Sequence, residues 1–363
     1  MLFATICMSI LCLGNITAAP VSMESDVPQA KSSLTILCYH NIDLPSPKDS
    51  PYSVTSLRFV EELKALKTAG FDFVSYSQVE SFYLTGVPLP ARSVLVTFDD
   101  GHRNIFDNAY PILKKMKIPW LLFVFPTAIG GGHDKGYMDW NDVQTLRKDG
   151  VAIGSHSFDH PFLTRPGKEI ASPAAYDEWL KKELSYSKKL IEEKLGAKVT
   201  AFASPFGALN EVVQRHIKKA GYSLAFNVFG SNNDDRTDPL QLNRIIVLGT
   251  DTPETVVEKA GEKPLHFGKL VPRALKVVSG ELGSIEITLD RFKDYVPDSV
   301  RMLVNGTKPN SIRREGSRFI LGIPAPEKAR GYIVTVYARK KTGELCSQSY
   351  YFLYAAVKPD YIG

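Results

Sequence analysis

Three features of the sequence predict an α/β fold: a distorted or incomplete (β/α) barrel followed by a small all-β sandwich. From about residue 35 to residue 248, short apolar runs alternate with longer stretches of helical periodicity. Most of these runs are apolar nearly throughout, as strands covered on both faces are. From residue 276 onward the apolar period drops to two, the pattern of half-buried antiparallel strands.

The runs stand at residues 35–39, 71–74, 94–98, 120–125, 151–154, 199–203, 223–227 and 244–247. Between them, helices are expected over 56–69, 104–116, 140–148, 176–195 and 211–220; in the first, Phe59, Leu63 and Leu66 recur at helical spacing. Strand-then-helix repetition of this kind closes into a barrel; a doubly wound open sheet is the alternative. A last short helix is expected at 253–257. Strands then follow at 283–289, 300–304, 318–323, 332–338 and 349–354, punctuated by turn pairs such as Asn305-Gly306 and Thr342-Gly343. This reading divides the chain into 1–19, 20–34 (linker), 35–268 (barrel) and 269–363 (an immunoglobulin-like sandwich).

Residues 1–19 read as a secretory signal peptide: 2–13 carry no charge, and Ala18 and Ala19 suit a peptidase. The apolar stretch is too short to span a bilayer. Export to the periplasm or the exterior is therefore expected, with no transmembrane anchor. Cys38 and Cys346 are the two cysteines beyond that segment, which excludes a disulfide scaffold. Net charge is +5, and no basic run interleaved with aromatics suggests nucleic acid. Residues 271–363 hold fifteen Lys and Arg against nine Asp and Glu, which suits either a solvated surface or contact with an anionic envelope polymer.

Three strand ends carry chemistry. Thr97-Phe98-Asp99-Asp100-Gly101 puts two carboxylates where barrel enzymes place their active sites, one able to neutralise a metal and the other to accept a proton from water. His156-Ser157-Phe158-Asp159-His160 sets two imidazoles four residues apart, on one face of an expected helical turn. With Asp100 they make a two-histidine, one-carboxylate set that leaves positions open for water and substrate. Ser204-Pro205-Phe206-Gly207 is a tight turn that could present the Phe206 backbone N–H to an oxyanion.

In this order, the three motifs resemble the polysaccharide deacetylase family (NodB homology, carbohydrate esterase family 4) over roughly residues 35–248. The resemblance implies a distorted barrel, Asp99 as general base, and Asp100, His156 and His160 as ligands of a divalent metal, usually zinc. Tyr39-His40-Asn41 and Trp140 are similar to the branch acting on poly-N-acetylglucosamine. The implied reaction is hydrolysis of N-acetyl groups, releasing acetate.

Two departures stand out. Ala203 occupies the place of a common arginine, and Arg244 is the candidate to supply that guanidinium from another strand end. The usual late Leu-x-His is replaced by Leu248-Gly249-Thr250, which leaves the general acid unassigned and His40 as a candidate for that or a supporting role. Pro205, Tyr137 and Trp140 are candidate sugar contacts, with Phe162 nearby; core packing is the competing role. Gly130-Gly131-Gly132-His133 is expected to be a flexible loop or lid. Competing functions are deacetylation of peptidoglycan, chitin-like oligomers or acetylated xylan, and a degenerate carbohydrate-binding or matrix-assembly protein. The partner in each enzymatic reading is an acetylated polysaccharide.

Overall fold

The structure, a computed structural model, describes residues 32–44, 50–131, 133–167, 170, 172–279, 283–323 and 330–354. The expected signal peptide and most of the linker lie outside the described residues.

Eight parallel strands form the first sheet: β1 (Ser33–Tyr39), β2 (Asp72–Phe73), β3 (Arg92–Phe98), β4 (Trp120–Val124), β5 (Ala152–Ser155), β6 (Ala201–Ala203), β7 (Leu224–Phe226) and β8 (Ile245–Ile246). Their order is β8-β1-β3-β4-β5-β6-β7, with β2 on β3. The sheet curls until a single bridge, Phe226 to Leu242, links its two ends, giving the distorted barrel rather than the open sheet. Alternate residues of each strand serve two cores, which is why the strands are apolar throughout. Leu34, Ile36, Leu95, Leu121, Phe123, Leu224 and Phe226 fill the barrel; Leu37, Tyr39, Val94, Val96 and Leu122 face the helices.

Each expected helix is present. Two contain π turns: Ile105–Ala109 precedes Tyr110–Met116, and Lys181–Tyr186 lies between Pro173–Leu180 and Ser187–Leu195. An additional helix, Tyr76–Thr85, is fixed by a capping box of Ser75 and Gln78. It packs Tyr76 and Val79 with the barrel interior, and Tyr76 meets Thr200 at the start of β6. In the glycine stretch, Gly130 and Gly131 end the helix Pro126–Gly131, and a 3-10 turn stands at His133–Lys135.

The C-terminal region is two sheets face to face, one antiparallel and one mixed. One has the order Phe267–Val271, Ser284–Leu289, Arg318–Gly322, Ser311–Glu315; the other contains Arg301–Val304, Arg330–Arg339 and Leu345–Tyr354. Ile285, Ile287 and Leu289 alternate inward against Val334, Val336 and Phe352. Strand pairing here begins at Lys263–Pro264, which joins Leu345–Tyr354. Leu275, Val277, Tyr351 and Leu353 pack into the helix-facing core of the barrel, and the Tyr351 ring stacks on Phe229 at 5.3 Å.

Candidate active site

Strand ends bring the three motifs together. At the end of β3, Asp99 donates its backbone N–H to the Tyr39 carbonyl (3.0 Å), after which Asp100 (φ 72°) and Gly101 (φ 77°) turn the chain sharply away. At φ 77° Gly101 takes a left-handed conformation that glycine adopts without strain, and a Cβ there would also crowd the tip of Ile129.

Asp99 is clamped. Arg244, fully buried, donates from Nη1 to Oδ1 (2.6 Å) and from Nη2 to Oδ2 (2.7 Å), while its Nε donates to the Asn227 carbonyl (3.0 Å). The same guanidinium lies 5.1 Å from the Phe123 ring that fills the barrel below. Burial by itself would raise the Asp99 pKa; Arg244 and then His156 overcome it and hold the carboxyl far below the usual range. The Arg244 guanidinium therefore meets the candidate base from a different strand end than the missing motif arginine would. The Cys38 thiol also reaches Asp99 Oδ2, at 3.4 Å. That contact follows from the β1–β3 register, which pairs Cys38 with Thr97 and is not readable from either strand alone.

His156 follows β5, and its Nδ1 lies 2.8 Å from the Ala203 carbonyl at the end of β6. A carbonyl only accepts, so Nδ1 carries a proton, and Nε2 faces Asp100 Oδ1 at 3.6 Å. His160 Nε2 is 3.4 Å from the same oxygen. Burial first, then the neighbouring His156, lower the His160 pKa to about 4, so its imidazole is neutral near pH 7. The two histidines do not share a helical turn as expected. The segment is an irregular loop in which Ser157 (φ 67°) and His160 (φ 58°) are left-handed, and that bend brings the rings to 4.7 Å.

The ligand atoms of Asp100, His156 and His160 all lie within 4.8 Å of one another. Two imidazoles and one carboxylate are the donor set a divalent cation of the zinc type takes. Burial opposes ionisation of Asp100, but His102, at 3.4 Å, and His156 hold its pKa down at about 2, so the carboxylate is charged. Cys38, His40 and Asp99 form a second cluster of possible ligands. There both Asp99 oxygens are occupied by Arg244, whose charge also repels a cation.

The Pro205–Gly207 turn stands beside the cluster. Phe206 is left-handed (φ 58°), and Gly207 (φ 67°) has no room for a Cβ, which would meet the Val228 backbone nitrogen at 2.8 Å. The Phe206 ring is 50% exposed, lies 4.8 Å from His160, and stacks on the 39% exposed Phe162 at 3.7 Å. Pro205 is buried beneath this turn. Tyr137 stacks on His102 at 4.8 Å and so belongs to the site's edge. Trp140 instead packs against the helix-facing core of the barrel. His40 stands close to Asp99, and its buried Nδ1 has no hydrogen-bond partner among the described residues. The sequence also gave no reason to single out His102, although it directly follows the Asp99-Asp100-Gly101 turn.

The parallel barrel thus sets an arginine-clamped aspartate beside an Asp-His-His cluster. Residues 86–225 match the family model described as polysaccharide deacetylase. Poly-beta-1,6-N-acetyl-D-glucosamine N-deacetylase of Staphylococcus aureus is 27% identical over 199 residues, covering 54% of this chain and 68% of the relative. The solved structure of IcaB from Ammonifex degensii is 27% identical with a TM-score of 0.54, covering 63% of this chain and 97% of that one. The Streptococcus pyogenes deacetylase PplD, solved with acetate, shares the fold at 24% identity and a TM-score of 0.56, over 63% of this chain and 99% of that one.

Proposed function

We propose that the protein is an exported, metal-dependent N-deacetylase of poly-N-acetylglucosamine. The observation that carries the chemistry is the Asp100-His156-His160 cluster set beside an ionised, doubly clamped Asp99. The likeness to the staphylococcal poly-β-1,6-linked deacetylase supports the substrate. The uncharged stretch within residues 1–19 supports export to the periplasm or exterior. Among the described residues no helix is long and apolar enough to cross a membrane.

In this reading Asp100, His156 and His160 hold a divalent cation, zinc by its donor chemistry, which supplies Lewis acidity to the amide carbonyl and lowers the pKa of water towards about 7. Asp99 accepts a proton from the attacking water. Its low basicity is adequate only for an already acidified proton, and Arg244 keeps the carboxylate ionised and in one orientation. The Phe206 N–H donates to the oxyanion as the carbonyl carbon becomes tetrahedral. His40 is our candidate to carry a proton to the leaving sugar nitrogen: one of its ring nitrogens lies within the group that includes Asp99, and its buried Nδ1 has no hydrogen-bond partner among the described residues. Burial lowers its pKa, so it would act as a relay that gains its proton during turnover. The exposed Phe206 and Phe162 rings offer a sugar-stacking face, with Tyr137 at the edge. The products are acetate and a polymer bearing free amines.

The test is acetate release from β-1,6- and β-1,4-linked N-acetylglucosamine oligomers with zinc, beside an Asp99→Asn variant. Release from the β-1,6 series, abolished by the substitution, is expected. Release only from the β-1,4 series, or only from O-acetylated xylan, would replace the substrate and keep the chemistry. A chain that binds no metal would overturn the enzymatic reading in favour of a carbohydrate-binding protein.

A further inference from the structure

The loop that carries both histidines contains two left-handed residues, Ser157 and His160, neither of them glycine. Each such residue costs about 1–2 kcal/mol against right-handed backbone, so the bend must be held from outside. It is held by the long helix behind it. Glu183 Oε2 accepts from the backbone N–H of Phe158 and of Asp159, both at 3.0 Å. Ser187, one turn further on, donates to the Ser157 carbonyl at 2.8 Å. Glu183 lies in the π turn Lys181–Tyr186 and is 1% exposed, while the neighbouring Lys182 is exposed and reaches the Asp159 carboxylate at the surface of the same loop. Its second oxygen, Oε1, is buried with no hydrogen-bond partner among the described residues. Burying a carboxylate is costly, and nothing in the packing of the helix itself requires one here. The two backbone N–H groups are what it serves.

We propose that Glu183 is a positioning residue of the metal centre: its carboxylate grips the Phe158–Asp159 backbone and so fixes the left-handed loop that aims His156 and His160 at Asp100. The inference rests on the reading of Asp100, His156 and His160 as metal ligands. Glu183 touches neither imidazole; it acts on the backbone between them, from the far side of the loop. Charge-assisted bonds to backbone N–H groups are the strong kind, and a supporting group of this sort typically governs metal affinity by about 10–100-fold.

Two measurements on Glu183→Ala and Glu183→Gln test this. In the metal-free chain, amide hydrogen exchange at Phe158 and Asp159 is expected to quicken at least about tenfold in Glu183→Ala, with the barrel strands unchanged. In Co2+ titrations, Glu183→Ala is expected to bind about 10–100-fold more weakly with an altered visible absorption band. Glu183→Gln, whose amide oxygen still accepts, is expected to recover most of both losses. Wild-type exchange and wild-type cobalt affinity in Glu183→Ala would overturn the proposal, as would a glutamine variant no better than alanine. Should the wild-type chain itself take up no cobalt, the metal reading fails, while the exchange arm still decides whether Glu183 holds the loop.

Discussion

Replacing Arg244 with methionine is the most informative single perturbation. The side chain is fully buried and makes two charged hydrogen bonds to Asp99, one to the Asn227 carbonyl and a longer one to Thr97 Oγ1. Removing one member of a buried ion pair leaves an uncompensated charge and costs about 3–5 kcal/mol. Asp99 relieves part of that cost by protonating, because burial alone pushes its pKa upward once the guanidinium is gone. A protonated Asp99 takes no proton from water, so acetate release should fall about 10²–10⁴-fold near neutral pH. The acidic limb of kcat/KM should move up in pH. The linkage has a defined sign: the folded pKa of Asp99 lies below its unfolded value of about 3.9, so the wild-type pair stabilises the fold fully above that value. That contribution is lost only as pH falls through the lower folded value. In Arg244→Met the sign reverses: with its folded pKa above the unfolded value, Asp99 costs stability as pH rises through that folded value. Urea unfolding gives the stability, and acetate release across pH gives the limb. A double variant, Asp99→Asn with Arg244→Met, should regain most of the stability and none of the activity, since a paired charge is removed whole. A single variant within about 1 kcal/mol of wild type, with an unmoved acidic limb, would refute the reasoning.

Chelation should abolish acetate release and added zinc restore it, whereas His156→Ala should be silent with or without zinc; acetate release after dialysis reads both. Gly207→Ala should lower stability by about 1–3 kcal/mol by urea unfolding, because its Cβ meets the Val228 backbone at a left-handed position, and a cost below about 0.5 kcal/mol would contradict this. Glu62 is buried, its carboxyl raised to about 8 mainly by burial, and Tyr39 donates to it at 2.9 Å. Its contribution to stability is thus complete below the unfolded pKa of about 4.3 and is lost as pH rises through about 8. Glu62→Gln should flatten that part of the stability profile, measured by unfolding between pH 5 and 9.

The barrel was legible because its strands are apolar on both faces and its helices carry regular stripes. The helix Tyr76–Thr85 was not, since just two of its residues, Tyr76 and Val79, are buried and its apolar stripe is correspondingly thin. The edge strand Ser311–Glu315 was missed for a related reason: it is exposed along its whole length, so period-two burial leaves no trace in it. In the site, Asp99, Asp100, His156 and His160 announce themselves by type and spacing. The bend between the histidines does not, because left-handed Ser157 and His160 are stabilised by Glu183 and Ser187, some twenty-five to thirty positions downstream. Arg244 could be nominated as a cation at a strand end, but its twofold grip on Asp99 depends on barrel closure, which no local pattern encodes.

The Phe229–Tyr351 stack and the insertion of Leu275, Val277 and Leu353 into the barrel's outer core mean that the change of sequence period near residue 276 is not a seam along which the molecule comes apart. A fragment cut there would bare a hydrophobic flank at Phe229, two residues from Asn227, whose carbonyl holds the Arg244 guanidinium. Exchanging the sandwich between proteins would require carrying its last strand's partner surface along with it.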